Sequence, residues 1–337
     1  MIRWLAPWLA LLLLVPGAAR ASEVVLWHSY RAAEEKALDH AAQAWAERTG
    51  NTVSVVAVPF GAFDSKVETA IPRGNGPDLF VAAHGSLGAW VQMGLVQPWS
   101  GDPALYDTLR PASVRAITWK GTRYGAPLAV KSLLLLYDPS VIATPPRTTD
   151  ALIAQAKEHT GGRRYGLAYQ AAEAYFLAPW VHAFGGDPFA GGTVDLDTQA
   201  QADAFALTKR LAVDEGIAPL QPTAALVARL YRQGDAAFVI SGPWFVADVG
   251  DRPIAAAPLP VVSKAGAPAR PYLTVDTAFV ATHGAHPDVA TDLAAFLAGP
   301  EGARIRQEEG RQAVTLKDAH PDDRCSRCSS SRRTRRW

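Results

Sequence analysis

Two groups of residues in the chain have types and spacings that could do chemistry. His84-Gly85-Ser86-Leu87-Gly88 comes near the G-x-S-x-G elbow, where a serine on a tight strand-to-helix turn attacks a carbonyl and a histidine takes its proton. His84 stands where that turn has space only for a small side chain. A secreted serine hydrolase using Ser86, completed by Asp276 and His283 or His286, is therefore the alternative reading, and a helix-capping Ser86 the ordinary one. The second group is aromatic and polar: His28-Ser29-Tyr30-Arg31, Ser86, Lys131, Glu173 with Tyr175 and Phe176, and Trp244. A saccharide suits that mixture, because its C–H faces stack on flat rings while its hydroxyls take carboxylates and guanidinium forks.

Other chemistries lack carriers in the sequence. Glu34 and Glu35 are neighbours on a predicted helix and point apart, so they are not a catalytic pair. His28, His84 and His182 have no metal-ligand spacing, and no G-x-x-x-x-G-K-[ST] phosphate loop is present. Neither a cofactor nor a metal is expected. Cys325 and Cys328 form a C-x-x-C pair beside Ser329-Ser330-Ser331 and an Arg run, without the second ligand pair that a zinc site needs.

These side chains must be positioned by strand and helix ends. Gln233-Gly234-Asp235 is a polar turn, Ala236 to Ile240 a short buried strand, and Ser241-Gly242-Pro243 a stop that presents Trp244. In open α/β sheets, ligands gather at the carboxyl ends of strands. Upstream, Glu23 to His28, Thr52 to Val58 and Asp78 to Val81 read as strands, and Arg31 to Arg48 and Phe63 to Ile71 as helices. That alternation predicts a mostly parallel sheet covered on both faces. Tyr165 to Tyr169, Ala174 to Phe184, Thr198 to Asp214 and Thr223 to Arg232 repeat it, with Ala202, Phe205, Leu207 and Leu211 expected on or near one helix face. Arg270 to Ala281 is extended, and Pro287 to Leu297 and Glu301 to Glu308 are helical. Crossings between two domains fall near Lys131 and near Val275 to Thr277.

The chain of 337 residues, 49% apolar and 19% charged, is long enough for two such domains. It opens with Arg3, an apolar run from Leu5 to Val15, and Ala19-Arg20-Ala21, the three parts of a signal peptide cleaved before Ser22. The mature protein is expected in the periplasm or outside the cell. A basic tail offsets an acidic body, and nothing in the body suggests a nucleic-acid surface. From His320 onward apolar periodicity ends, and the tail is expected to be disordered.

The motifs together resemble the bacterial extracellular solute-binding proteins, the maltose- and maltodextrin-binding group in particular. Val24 to Trp27 (V-V-L-W), Ala46 to Gly50 (A-E-R-T-G), Gly74 to Leu79 (G-N-G-P-D-L), Trp90 to Val96 (W-V-Q-M-G-L-V), Gly125 to Val130 (G-A-P-L-A-V), Glu173 to Phe176 (E-A-Y-F) and Gln233 to Trp244 carry the likeness. The resemblance implies a two-lobed α/β periplasmic-binding-protein fold (type II), each lobe a mostly parallel sheet flanked by helices and joined by hinge strands. It divides the chain into a signal peptide (1–21), a first lobe (22–130 plus 277–317), a second lobe (131–276) and a tail (318–337). It also implies a monomeric receptor without catalysis or cofactor, delivering a sugar to the membrane permease of an ATP-binding-cassette importer. A receptor of the same fold for a non-sugar solute is a further reading. Ser29, Tyr30, Arg31, Ser86, Lys131, Glu173, Tyr175, Phe176 and Trp244 are the expected ligand contacts. The family's first-lobe loop Trp is Ala82 here and its first-hinge Glu is Lys131, so the first lobe's polar side is rebuilt. Family helices that complete the second lobe are replaced by the Arg-Ser-Cys tail, which is read as a truncation or frameshift.

Overall fold

The computed structural model describes residues 21–189 and 192–319. The expected signal peptide, apart from its last residue, and the tail with Cys325 and Cys328 lie outside the described residues. No helix among those described is long and apolar enough to cross a membrane.

In the first lobe, Glu23–His28 pairs in parallel with Thr52–Ala57 on one side and Leu79–Ala83 on the other. Thr274–Val280 follows, antiparallel to both Leu79–Ala83 and Ala126–Lys131. Side chains alternate across this five-stranded sheet as the pleat requires. Val24 and Leu26 face a layer built on Leu38, Trp45, Leu293 and Leu297, from the helices Ala33–Thr49 and Pro287–Ala298. Trp27 and Phe80 face the opposite layer, with Phe63, Val67 and Trp90 from the helices Phe60–Ala70 and Leu87–Gln92. Gly50 ends the first of these helices at φ 74°, a left-handed stop that glycine adopts without strain.

The second lobe is a four-stranded sheet in the order Ala255–Ala257, Leu134–Tyr137, Ala236–Ser241, Tyr165–Ala168. Ala236–Ser241 is buried along its whole length, as a central strand with helices on both sides must be. Phe238 and Ile240 meet Leu152, Trp180 and Leu207 on one face. Ala236 and Val239 meet Val227 and Tyr231 on the other.

The strands of each sheet mostly run one way, as expected, with one reversed strand apiece: Thr274–Val280 returns from the second lobe and so runs against its neighbours, and Leu134–Tyr137 leaves the hinge and runs against Ala236–Ser241. One expectation needs correction. Helix Gln199–Lys209 buries Ala204 and Leu207, with Leu211 just beyond, while Phe205 is exposed. The spacing i, i+3, i+7 sets the buried face, and Ala202 and Phe205 lie off it.

Candidate functional site

The strand Ala236–Ser241 brings its carboxyl end beside Leu134, where the chain has just left the first hinge. Gly242 continues it in extended backbone, φ −102° and ψ −176°. A Cβ on Gly242 would lie 2.0 Å from Cζ3 of the Trp244 ring, so glycine is what allows the indole to fold back over the strand end. Pro243 then starts the short helical turn Pro243–Asp248. Phe245 anchors that turn in the core, edge-on to Tyr231 at 5.6 Å, and Trp244 stays half-buried.

Tyr175 comes from the first turn of helix Ala174–Ala183 and places its ring 6.4 Å from that of Trp244, tilted by 50°. Its hydroxyl shares a hydrogen bond of 3.0 Å with Thr274 on the returning hinge strand. Burial pushes the Tyr175 phenol above its ordinary value, so it is a neutral O–H at physiological pH. Tyr272 adds a third ring 6.4 Å from Tyr175, tilted by 32°. His182 supports Tyr272 edge-on at 4.9 Å, and Ser132 donates to the Tyr272 carbonyl at 3.0 Å. Sequence reasoning missed Tyr272; its signal was an aromatic after Pro271 at the start of the second crossing. Phe176 is buried beneath Tyr175, its ring nearly perpendicular at 5.7 Å, so it supports the wall from behind. Glu173 is exposed at the N-terminal end of the same helix, where Gln170 donates its side-chain amide to the carboxylate.

The first lobe contributes differently. At the end of its first strand, His28 Nδ1 accepts the Tyr30 N–H at 3.1 Å, and burial holds the His28 pKa below its ordinary value against the pull of Asp39 and Glu35. Ser29 is half-buried and Tyr30 buried. The Lys131 ammonium lies 4.7 Å from the Tyr30 ring centre and 2.9 Å from both Glu34 and Asp276. Burial alone would lower the Lys131 pKa, but Asp276 and Glu34 overcome it and raise it. Arg306, fully buried, closes the cluster by donating to the carbonyls of Leu128 and Leu297 and to Gln312, which in turn donates to Glu34. Burial lowers the Arg306 pKa to about 10, with Tyr30, Asp276 and Glu34 opposing, and pushes the Tyr30 phenol well up together with Asp276 and Glu34. Lys131 and Tyr30 are thus committed to an internal hinge network, and Glu34, passed over as a catalytic pair member, is one of its anions.

Ser86 stands at the start of helix Leu87–Gln92 but its hydroxyl donates to Asp64 at 2.8 Å rather than capping the helix. His84 Nδ1 accepts the Val275 N–H at 3.1 Å, which occupies the nitrogen and ties this turn to the returning hinge strand. Arg31 reaches from the end of the first strand to the turn that carries Trp244. Its Nη1 and Nη2 donate to Asp248 Oδ1 and Oδ2 at 2.8 and 3.2 Å. Among the described residues no group of three or more His, Cys, Asp or Glu could hold a metal.

The second lobe thus carries a cluster of flat rings with a carboxylate at the helix end beside them, and Arg31 links its neighbouring turn to the first lobe. A family model for bacterial extracellular solute-binding proteins matches residues 40–314. The maltotriose-binding protein of Pyrococcus abyssi is 29% identical over 80% of this chain, which spans 61% of that protein's length. The galactooligosaccharide-binding protein of Bacillus subtilis is 22% identical over 94% of this chain and 78% of its own. The structure of the Thermus thermophilus maltotriose-binding protein, bound with maltotriose, superposes with a TM-score of 0.79 at 24% identity, covering 87% of this chain and 81% of that one. The maltose/maltodextrin-binding domain from Bdellovibrio bacteriovorus, bound to maltotriose, gives 0.82 at 23% identity over 90% and 84%. The matched family and these relatives are solute-binding proteins, not enzymes.

Proposed function

Because the chain belongs to the bacterial extracellular solute-binding protein family, we propose that it is an exported receptor for an oligosaccharide, which it delivers to the permease of an ATP-binding-cassette importer. The observation that carries this reading is the wall of three rings, Trp244, Tyr175 and Tyr272, on the second lobe. Flat ring faces of this kind suit the apolar C–H faces of sugar units. Glu173 and Arg31 take hydroxyls beside the wall, with Ser29 and Ser86 at the opposite strand ends. The lobes, divided near Lys131 and near Thr277, close over the ligand about the hinge strands. Periplasmic or extracellular residence follows from the expected signal peptide.

The names of the relatives make maltotriose the first ligand to try. Thermal-shift and calorimetric titration of the mature protein against maltotriose, galactooligosaccharides, amino acids and polyamines test the reading, since a ligand of the folded state must raise the melting temperature. A saccharide is expected to do so, and Trp244→Ala to weaken its binding by ~1–3 kcal/mol. A shift only with amino acids or polyamines would overturn the sugar assignment and favour a receptor for another solute.

A further inference from the structure

The pair Arg31–Asp248 differs from the other ion pairs of the molecule. Among the described residues it is the salt bridge that joins the lobes away from the hinge strands, where Lys131 pairs with Glu34 and Asp276. Each partner is held by its own lobe. Arg31 follows the buried Tyr30 and precedes Ala32, a non-glycine residue at φ 52°, a left-handed conformation that costs an L residue energy and turns the chain sharply into the helix Ala33–Thr49. Asp248 ends the turn that carries Trp244, four residues after the indole. The pair therefore ties Arg31 to the turn that presents Trp244, two N–H donors against two carboxylate oxygens, the fork-to-fork pairing that holds Arg most specifically.

A guanidinium alone at that place would attract a carboxylate or phosphate on a ligand. Asp248 occupies that side of Arg31 and cancels its charge, leaving the remaining N–H groups for neutral hydroxyl oxygens. An acidic sugar would meet both the Asp248 and the Glu173 carboxylates, and could reach Arg31 only by displacing Asp248. We propose that Asp248 is a specificity-determining residue, which by pairing with Arg31 across the gap makes the receptor select neutral over anionic oligosaccharides. This rests on the saccharide reading above. Selectivity here comes from repulsion of the wrong ligand as well as attraction of the right one.

The test compares maltotriose with the same trisaccharide oxidised at C6 of one glucose to a glucuronate, by calorimetry on the parent, Asp248→Asn, Asp248→Ser, and Arg31→Gln combined with Asp248→Asn. Parent binding is expected to favour the neutral sugar strongly. In both single variants the ratio of acidic to neutral dissociation constants should fall about tenfold, the effect of removing one unit charge near the ligand in a partly screened site. In the double variant the ratio should return toward the parent value, because the cation that would welcome the carboxylate has gone. A purely structural role for Asp248 would change both sugars' affinities together and leave the ratio where it was, which would overturn the proposal while the saccharide reading stands. A parent that binds neither sugar, nor any neutral saccharide of the panel, would overturn the reading and this inference with it.

Discussion

Replacing Gly242 by alanine isolates the position of the Trp244 indole from its presence. Gly242 has extended φ and ψ that any residue adopts, so alanine brings no backbone strain. What it brings is a methyl carbon 2.0, 2.2 and 2.4 Å from Cζ3, Cη2 and Cε3 of the indole. Ordinary van der Waals contact needs about 3.4 Å, so the ring must retreat by roughly 1.4 Å or leave its rotamer. It cannot retreat freely, since Tyr175 and the core of the second lobe stand beside it. An off-rotamer or overpacked aromatic costs ~1–3 kcal/mol of stability, against the ~5–15 kcal/mol that folded proteins have to lose. Binding should suffer as if the platform were absent: ~1–3 kcal/mol, about 5- to 150-fold in dissociation constant for the saccharide. Calorimetric titration reads the affinity, and far-ultraviolet circular dichroism with a thermal melt shows that the fold persists. The decisive comparison is Gly242→Ala with Trp244→Ala in one chain. If the glycine acts through the indole, the double variant binds no worse than Trp244→Ala alone. Parent-like affinity in Gly242→Ala, or losses that simply add, would refute the reasoning.

Three further outcomes follow from the interior. Lys131→Met leaves Glu34 and Asp276 facing each other without their cation at side-chain exposures of 17% and 8%; stripping one partner from a buried pair costs ~3–5 kcal/mol, to be read from the urea midpoint, and adding Asp276→Asn should recover part of it. Gly166→Ala would put a methyl 2.0 Å from the Ala156 carbonyl oxygen and 2.5 Å from its Cα, a backbone that cannot swing aside, so a loss of at least ~2 kcal/mol is expected in a denaturant melt. Burial lowers the pKa of both His28 and His84 in the folded chain, so as pH falls below about 6.5 the unfolded chain takes up protons first. The stability these imidazoles contribute is present above that value and is lost as pH falls through the lower folded values. The melting temperature should decline between pH 7 and pH 5, and His84→Asn, which keeps an acceptor for the Val275 N–H, should flatten that decline; an unchanged slope would show that His84 does not carry it.

What was legible in the sequence was what is local. Alternation and turn residues placed Glu23–His28, Ala236–Ser241 and the helices near their observed bounds, because a buried face imprints its period on neighbouring residues. Trp244, Tyr175 and Glu173 stand out as candidates for the same reason, each lying where a strand stops or a helix starts. Periodicity misled at Phe205, since a helix with a weak apolar stripe permits more than one face to be drawn through it. It located the crossings near Lys131 and Thr277 but was silent on the polar network between them. Tyr30, Glu34, Lys131, Asp276, Arg306 and Gln312 come from widely separated segments, and nothing in the surroundings of Lys131 announces that its charge will be spent on Glu34 and Asp276. The same holds for Arg31 and Asp248, 217 positions apart. An apolar contact can be read from one strand because any apolar neighbour satisfies it, whereas an ion pair is specific to a partner that only the fold supplies. The two kinds of residue therefore divide the labour in this molecule. In the receptor proposed above, the wall of rings takes a sugar face of any identity, while the long-range pairs set which polar groups remain free for the ligand.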